Sequence, residues 1–250
     1  MKTMKKILCV VLAVATVAFA FAACSSNTKT NKLTMATNAT FPPYEYNEGG
    51  KIVGIDAEIA QAIADKLGME LEIVDTEFDS IIPGVQGGKY DMGMAGMTVT
   101  DERLESVNFS TSYAKGIQSV IVKEDSAIKT VDDISSKTKI GVQLATTGCI
   151  YAEDAYGVDA VSEFQSGAAA VQALVSGKID CVIIDNQPAQ AFVAENEGLK
   201  ILDTAYAEED YAICFNKNDK ELEEKVNAAL EELIADGTVK RILDKYITAE

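Results

Sequence analysis

The stretch Gly93-Met-Ala-Gly-Met-Thr-Val-Thr-Asp-Glu-Arg103 predicts a short strand that ends in a loop and turns into a helix. Gly96 breaks the strand, and Thr100 is a good helix N-cap. The two acids that follow it stand in the first helical turn, where the helix dipole favours negative charge. Glycine lets a backbone approach a ligand closely, and the planar guanidinium of Arg103 suits a carboxylate. The stretch therefore predicts a carboxylate site at a strand end, where α/β sheets bind small ligands. A surface turn with a solvated arginine fits it equally well.

Strands and helices alternate along the rest of the chain, which predicts an α/β fold with largely parallel sheets. Apolar residues at positions 55, 59, 63 and 67 predict an amphipathic helix that ends at Gly68. Two prolines within residues 38–46 predict a rigid loop that carries aromatic side chains. The apolar residues of 210–215 predict a single strand.

Two similar turn sequences, Gly88-Lys-Tyr-Asp91 and Gly177-Lys-Ile-Asp180, lie 89 residues apart. Each follows an apolar helical pattern and precedes a short apolar strand. Gly-Lys-x-Asp is also an ordinary turn, so coincidence is the alternative. The matched flanking patterns favour two similar lobes.

The composition excludes several classes of function. The 250 residues carry a formal net charge of −17, which argues against nucleic acid as a partner. The chain contains no histidine, so histidine-based catalysis and histidine metal ligands are excluded. Cys149, Cys181 and Cys214 show no CxxC spacing, and we interpret them as small buried residues. We therefore expect neither a metal nor a cofactor.

The N-terminus has the pattern of a processed leader. Three lysines precede an apolar run within residues 1–23, which predicts a signal peptide. The run ends in Phe21-Ala-Ala-Cys24, which resembles a bacterial lipobox and implies a lipid on Cys24. A plain secretory signal with a chance cysteine is the alternative. Polar residues at 24–31 then predict a flexible tether.

Candidate ligand-binding residues occur in both of the predicted lobes. Asp185 ends an apolar strand, and a carboxylate buried there needs a partner. It could instead only cap the next helix. Thr146 and Thr147 stand at a helix start, which attracts anions. An α-amino acid would match this set, with its carboxylate on Arg103 and its ammonium on Asp185.

The chain resembles a bacterial extracellular solute-binding protein of the polar-amino-acid ABC importer family. The resemblance covers residues 32–247 and is carried by residues 36–44, 78–83, 95–103, 141–143 with Thr146 and Thr147, and 180–185. It implies an α/β, two-lobed, periplasmic-binding-protein-like (type II) fold whose two-strand hinge lies near residues 113–118 and 209–212.

The implied lobes are residues 32–114 with 211–250, and residues 115–210. They would close over one amino acid. The resemblance also implies a permease partner and a place on the extracellular face of the membrane, lipid-anchored, or in the periplasm. It implies no enzymatic activity.

The resemblance further implies roles for individual residues. Arg103, Thr98 and the backbone N–H groups of Thr98 and Thr147 would hold the substrate carboxylate, and Asp185 with the Gly96 carbonyl would hold the ammonium. Two aromatic rings would sandwich the substrate side chain. The full set of candidate ligand-binding residues is Asn38, Phe41, Phe78, Gly96, Met97, Thr98, Arg103, Gln143, Thr146, Thr147 and Asp185.

The identity of the amino acid depends on fewer residues. Many relatives carry an acid where this chain has Asn38, and some glutamine binders carry lysine where it has Gln143. The Gln-x-x-Thr-Thr pattern is similar to arginine-type relatives, so we expect a basic amino acid, arginine first and glutamine next. A dehydratase-like enzyme on the same scaffold is the alternative, but no general acid or base besides Asp185 stands out. A receptor sensing module would need a membrane span and an output domain downstream.

Overall fold

The computed structural model describes residues 31–203 and 205–247. The strands are Lys32–Thr37 (β1), Thr40–Phe41 (β2), Glu45–Glu48 (β3), Lys51–Val53 (β4), Glu70–Asp75 (β5), Met92–Gly93 (β6), Val107–Phe109 (β7), Ala114–Lys123 (β8), Ile140–Gln143 (β9), Val161–Phe164 (β10), Cys181–Asp185 (β11), Leu199–Ile201 (β12), Ala207–Tyr211 (β13) and Cys214–Asn216 (β14). The helices are Ile55–Leu67 (α1), Ile81–Gln86 (α2), Asp101–Ser106 (α3), Thr147–Tyr156 (α4), Gly167–Val175 (α5), Asn186–Glu195 (α6), Lys220–Ala235 (α7) and Thr238–Tyr246 (α8).

Two main sheets form the two lobes of this α/β fold. The first has the order β5-β1-β6-β14-β7, and the second has the order β10-β9-β11-β8-β12, with β13 also paired to β8. Strands β2, β3 and β4 form a small separate sheet. The chain passes between the main sheets twice, from β7 to β8 and from β13 to β14. The lobe boundaries given above stay a prediction.

The structure corrects three local predictions. Residues 210–215 are not one strand, because Tyr211 pairs with Ala114 in one sheet and Cys214 pairs with Gly93 in the other. The sheets are mixed, because β1 and β6 run parallel while β14 and β8 run antiparallel to their neighbours. Residues 38–46 are not wholly loop, since β2 and β3 pair as short strands there. An apolar pattern alone does not show where a strand leaves one sheet for another.

The two repeated turns have the same structural role. The glycine that begins each turn is left-handed, with φ of 69° and 71°. The Asp91 carboxylate accepts the backbone N–H of Thr34 at 2.7 Å, and the Asp180 carboxylate accepts that of Lys139 at 2.8 Å. Each aspartate thereby ties its turn to a neighbouring strand, since Thr34 lies within β1 and Lys139 directly precedes β9. The two turns are therefore similar in structure as well as in sequence.

The predicted amphipathic helix forms part of the core. Ile55, Ile59 and Ile63 of α1 are fully buried, and the helix packs against β5, α7 and α8. Gly68 ends it in the left-handed conformation with φ of 64°, as the sequence predicts. Within the described ranges, no helix has the length and apolar character to span a membrane. The predicted leader, Cys24 and most of the tether lie outside the described residues.

Candidate ligand-binding site

A cavity with about 450 Å³ of empty space, part of it open to solvent, lies between residues of the two sheets. It brings together ten of the eleven predicted ligand-binding residues. The lining residues are Asn38, Phe41, Glu45, Phe78, Ala95, Gly96, Thr98, Arg103, Gln118, Gln143, Thr146, Thr147, Ile183, Ile184 and Asp185.

Arg103 is fixed by carbonyl groups from both sides of the cavity. Its Nη1 donates to the Thr98 carbonyl at 2.8 Å, and its Nη2 donates to the Ala145 carbonyl at 3.0 Å. The guanidinium carbon lies 5.4 Å from the centre of the Phe78 ring. Burial lowers the pKa of this guanidinium below its usual value. Two of its five N–H donors are occupied, so three remain for a ligand carboxylate.

The local structure explains why Arg103 stands there. The Thr100 hydroxyl accepts the Arg103 backbone N–H at 3.2 Å, which caps helix α3 as predicted. On the other side, Ala145 has a left-handed backbone with φ of 61°, which is unfavourable for a residue other than glycine. This strained residue directs its carbonyl at the guanidinium. The strain therefore coincides with the site that the sequence predicts for a carboxylate.

Asp185 is held by side chains and does not cap its helix. Gln118 Nε2 donates to its Oδ2 at 2.8 Å, and the Tyr211 hydroxyl donates to its Oδ1. No side-chain cap bond from Asp185 to helix α6 forms, which removes the capping alternative for this residue. Burial and the charge of Glu209 raise the pKa of Asp185 to about 7, against the lowering effect of the two hydrogen bonds. A carboxylate has about four acceptor positions, so two remain for an ammonium.

The loop at Gly96 is held from behind by another buried acid. Asp56 Oδ2 accepts the Gly96 backbone N–H and the Tyr113 hydroxyl, both at 2.9 Å. Gly96 has φ of 53°, and a Cβ there would lie 2.8 Å from Cε1 of Phe41. Glycine is therefore required both for the backbone conformation and for contact with this ring. The predicted role of the Gly96 carbonyl stays a prediction.

Glu45 is a cavity residue that the sequence analysis missed. It is 1% exposed, and neither of its carboxyl oxygens nor Asp56 Oδ1 accepts from any other described residue. Burial, followed by the charge of Asp56, raises the pKa of Glu45 well above its usual value. The pKa of Asp56 rises only to about 6. Burial therefore disfavours the ionised form of both carboxyl groups.

Five further predicted residues also line the cavity: Phe41, Phe78, Thr98, Thr146 and Thr147. The Thr98 hydroxyl donates to Glu209 Oε2 at 3.0 Å.

Met97 is the one predicted residue that does not line the cavity. Its side chain is fully buried in an apolar cluster with Ile81 and Val85, away from the cavity lining. Consecutive residues of an extended chain point in opposite directions, so Thr98 faces the cavity where Met97 cannot.

Buried acids outnumber buried bases around the site. Among the described residues, the buried charged groups are Arg103 and four acids, Glu45, Asp56, Asp185 and Glu209. Glu45, Asp185 and Arg103 line the cavity, and the other two acids hydrogen-bond to residues that line it. The site is therefore acceptor-rich and favours a ligand with several N–H donors.

The model for family 3 of the bacterial extracellular solute-binding proteins matches residues 33–249 of the chain. The chain belongs to this family. Among its relatives, the arginine-binding extracellular protein ArtP of Bacillus subtilis is 35% identical over 99% of this chain and 100% of its own length. The two-lobed fold predicted from the sequence is thereby confirmed together with the family.

Solved structures of similar proteins agree with the fold of this solute-binding protein. One is described as an ancestral arginine-binding protein bound to glutamine, with a TM-score of 0.82, 40% identity and coverage of 88% of this chain and 99% of that one. Another is the arginine-, lysine-, histidine-binding protein ArtJ of Geobacillus stearothermophilus, with a TM-score of 0.83, 34% identity and coverage of 88% and 96%.

The cavity of this solute-binding protein also contains residues that gave no clear signal in the sequence. Gln118 lies in the middle of strand β8 and reaches the site because it faces Asp185 on the paired strand. Ala95, Ile183 and Ile184 line the cavity with apolar surface. Glu45 follows the two prolines in the predicted loop, where an acidic residue is expected to be exposed to solvent. A continuous strand or loop sequence does not reveal which of its polar residues are buried.

Proposed function

We propose that this protein is the solute receptor of an ABC importer and binds a basic L-amino acid, L-arginine first, between its two lobes. It binds the amino acid without transforming it. L-Glutamine is the second candidate ligand. The permease would take the amino acid from the closed receptor.

The surplus of buried acids carries this proposal. A ligand ammonium brings three N–H donors and a guanidinium brings five, whereas a glutamine side chain brings two. Glu45 and Gln118 line the cavity, and both oxygens of Glu45 and Oε1 of Gln118 receive no donor from the other described residues. Each buried acceptor left without a donor costs about 1–3 kcal/mol. A dibasic ligand satisfies more of these acceptors than a neutral amide does.

The carboxylate of the ligand would bind to Arg103. Arg103 keeps three free donors and lies near the first turn of helix α4, where backbone N–H groups favour an anion. The ammonium would take the remaining acceptor positions of Asp185. The relatives named above are arginine-binding proteins, one of them described with glutamine bound, which supports both candidates.

The leader sequence supports a membrane-anchored receptor. We propose that residues 1–23 are removed, that Cys24 carries the lipid, and that residues 24–31 tether the folded part to the extracellular face of the membrane or within the periplasm. The family consists of bacterial extracellular solute-binding proteins, which agrees with export.

The test is a thermal-shift scan of residues 25–250 against the common L-amino acids. A ligand at a thousand times its Kd adds about 4 kcal/mol, which raises the Tm of a domain of this size by roughly 8–16 °C. We expect the largest shift with L-arginine. Mass spectrometry of the recovered ligand checks that it is unchanged. If no amino acid shifts the Tm, the receptor proposal is wrong.

Glu45→Gln is a matched variant for the basic preference. The glutamine side chain keeps the size of Glu45, but it cannot ionise. If Glu45 gives up its proton to hold the cationic ligand, the variant binds arginine at least about tenfold more weakly and binds glutamine unchanged. An equal effect on both ligands would remove Glu45 from the basis of the preference.

A further inference from the structure

Two cavities meet at Asn38. The first is the ligand cavity described above. The second is more open to solvent, has about 580 Å³ of empty space, and is lined by Asn38, Thr40, Asp75, Thr76, Glu77, Gln165 and Ser166. We call it the outer chamber. Asn38 lines both spaces, so its side chain stands between them.

Hydrogen bonds hold the Asn38 amide in this position from three directions. Its Nδ2 donates to the Thr76 carbonyl at 2.9 Å, and its Oδ1 accepts from the Thr40 hydroxyl at 2.9 Å. Gln143 Nε2 reaches across from strand β9 and donates to the same Oδ1 at 2.9 Å. Gln143 is 5% exposed and Asn38 is also 5% exposed. The two amides therefore form a closed contact across the cleft.

The partners of this contact show which side each group faces. Thr40 and Thr76 line the outer chamber, whereas Gln143 lines the ligand cavity. Gln143 Nε2 also donates, at 3.2 Å, to the carbonyl of Gln165, a residue of the outer chamber. The amide pair thus separates the less open ligand cavity from the more open outer chamber.

The same bonds leave Asn38 little capacity to read a ligand. An amide oxygen has two lone pairs, and both are occupied by Thr40 and Gln143. One N–H of Nδ2 is free for other contacts. Asn38 cannot therefore accept a donor from a guanidinium or a ligand amide without breaking its contact with the protein. Asn38 is therefore better suited to form a wall of the cavity than to bind the distal group of the ligand.

We propose that the Asn38–Gln143 pair is a partition that limits the length of the bound side chain. It rests on the proposed function, in which an amino acid lies in the ligand cavity with its side chain toward this wall. Removing the partition joins the cavity to the outer chamber, where Asp75 and Glu77 offer carboxylates to a longer cationic ligand. Excluding longer ligands is a form of selectivity that the contacts to the ligand's charged groups cannot provide.

The experiment compares the Kd of L-arginine with that of Nω-propyl-L-arginine by calorimetry. In the wild-type protein we expect the propyl compound to bind about a hundredfold more weakly, because its extension meets the wall. In Gln143→Ala we expect this ratio to fall by about tenfold or more, while arginine itself binds somewhat more weakly. Gln165→Ala is the matched control, because it enlarges only the outer chamber and keeps the backbone carbonyl that Gln143 uses.

Three outcomes overturn the partition: a wild-type protein that binds both compounds equally, a Gln143→Ala ratio equal to that of the wild type, or the same change of ratio in Gln165→Ala. Failure of the proposed arginine ligand would be seen separately, as no binding of arginine by the wild type. In that case L-glutamine and its longer Nγ-ethyl derivative replace the pair of ligands, and the same comparison of ratios decides.

Discussion

Binding of the amino acid should weaken strongly as the pH falls from 8 to 6, because of Asp185. Burial is the largest cause of its raised pKa of about 7, and the charge of Glu209 acts in the same direction. A ligand ammonium needs the ionised carboxylate, which is about 90% populated at pH 8 and about 10% populated at pH 6. The Kd for L-arginine should therefore rise nearly tenfold between these two values.

The stability of the protein without ligand should change in the opposite direction. Because the pKa of Asp185 in the folded protein lies above that of an unfolded aspartate, the folded state binds more protons between about pH 4 and pH 7. This group therefore makes the folded protein less stable as the pH rises through that window. Asp56, with its pKa raised to about 6, acts with the same sign. The rise in Tm that arginine produces should accordingly be larger at pH 8 than at pH 6.

Calorimetric titration at half-unit steps of pH, at constant ionic strength, measures the effect. Asp185→Asn is the control, because it removes the titrating group and keeps the size of the side chain. It should bind arginine weakly at every pH and lose the part of the pH dependence that Asp185 causes. A wild-type Kd that stays within a factor of about two from pH 6 to pH 8 would refute the assignment of Asp185 as the ammonium partner.

Three further predictions follow from single residues. Gly96→Ala should lower the stability by about 1–2 kcal/mol and weaken binding in thermal unfolding and titration, because φ is 53° and the new Cβ would lie 2.8 Å from Phe41. Gly68→Ala is its control, since φ is similar at 64° but no atom lies within 4 Å of the added Cβ, so it should change stability without changing the Kd. Arg103→Lys should weaken arginine binding by about tenfold or more, because an ammonium cannot hold two carbonyls and a carboxylate as the planar fork does. Retained affinity would exclude a forked carboxylate contact. Cys24→Ser should abolish fatty-acid labelling and release the protein from membranes, and unchanged labelling would show that Cys24 is not the anchor.

Local sequence patterns predicted much of the fold. The recurrence of isoleucine every four residues predicted helix α1, and Gly68 predicted its end. Both signals depend only on residues that are close together in the chain. The loop-and-helix start at residues 96–103 was also predicted, including the Thr100 cap. Ten of the eleven predicted residues line one cavity because strand ends and helix starts meet at the edges of the two sheets.

The sequence by itself determined the fold class, the family and the residue types of the site, because these follow from local periodicity and from motifs that are contiguous in the chain. The tertiary structure alone decided which polar groups meet. It brought Gln118 to Asp185, buried Glu45 against Asp56 and placed Gln143 against Asn38, and it turned Met97 into the core. These contacts join residues that are distant in the chain, and burial in a shared space gives them their energies. The charge and length of the ligand depend on such contacts, so only the tertiary structure could indicate them.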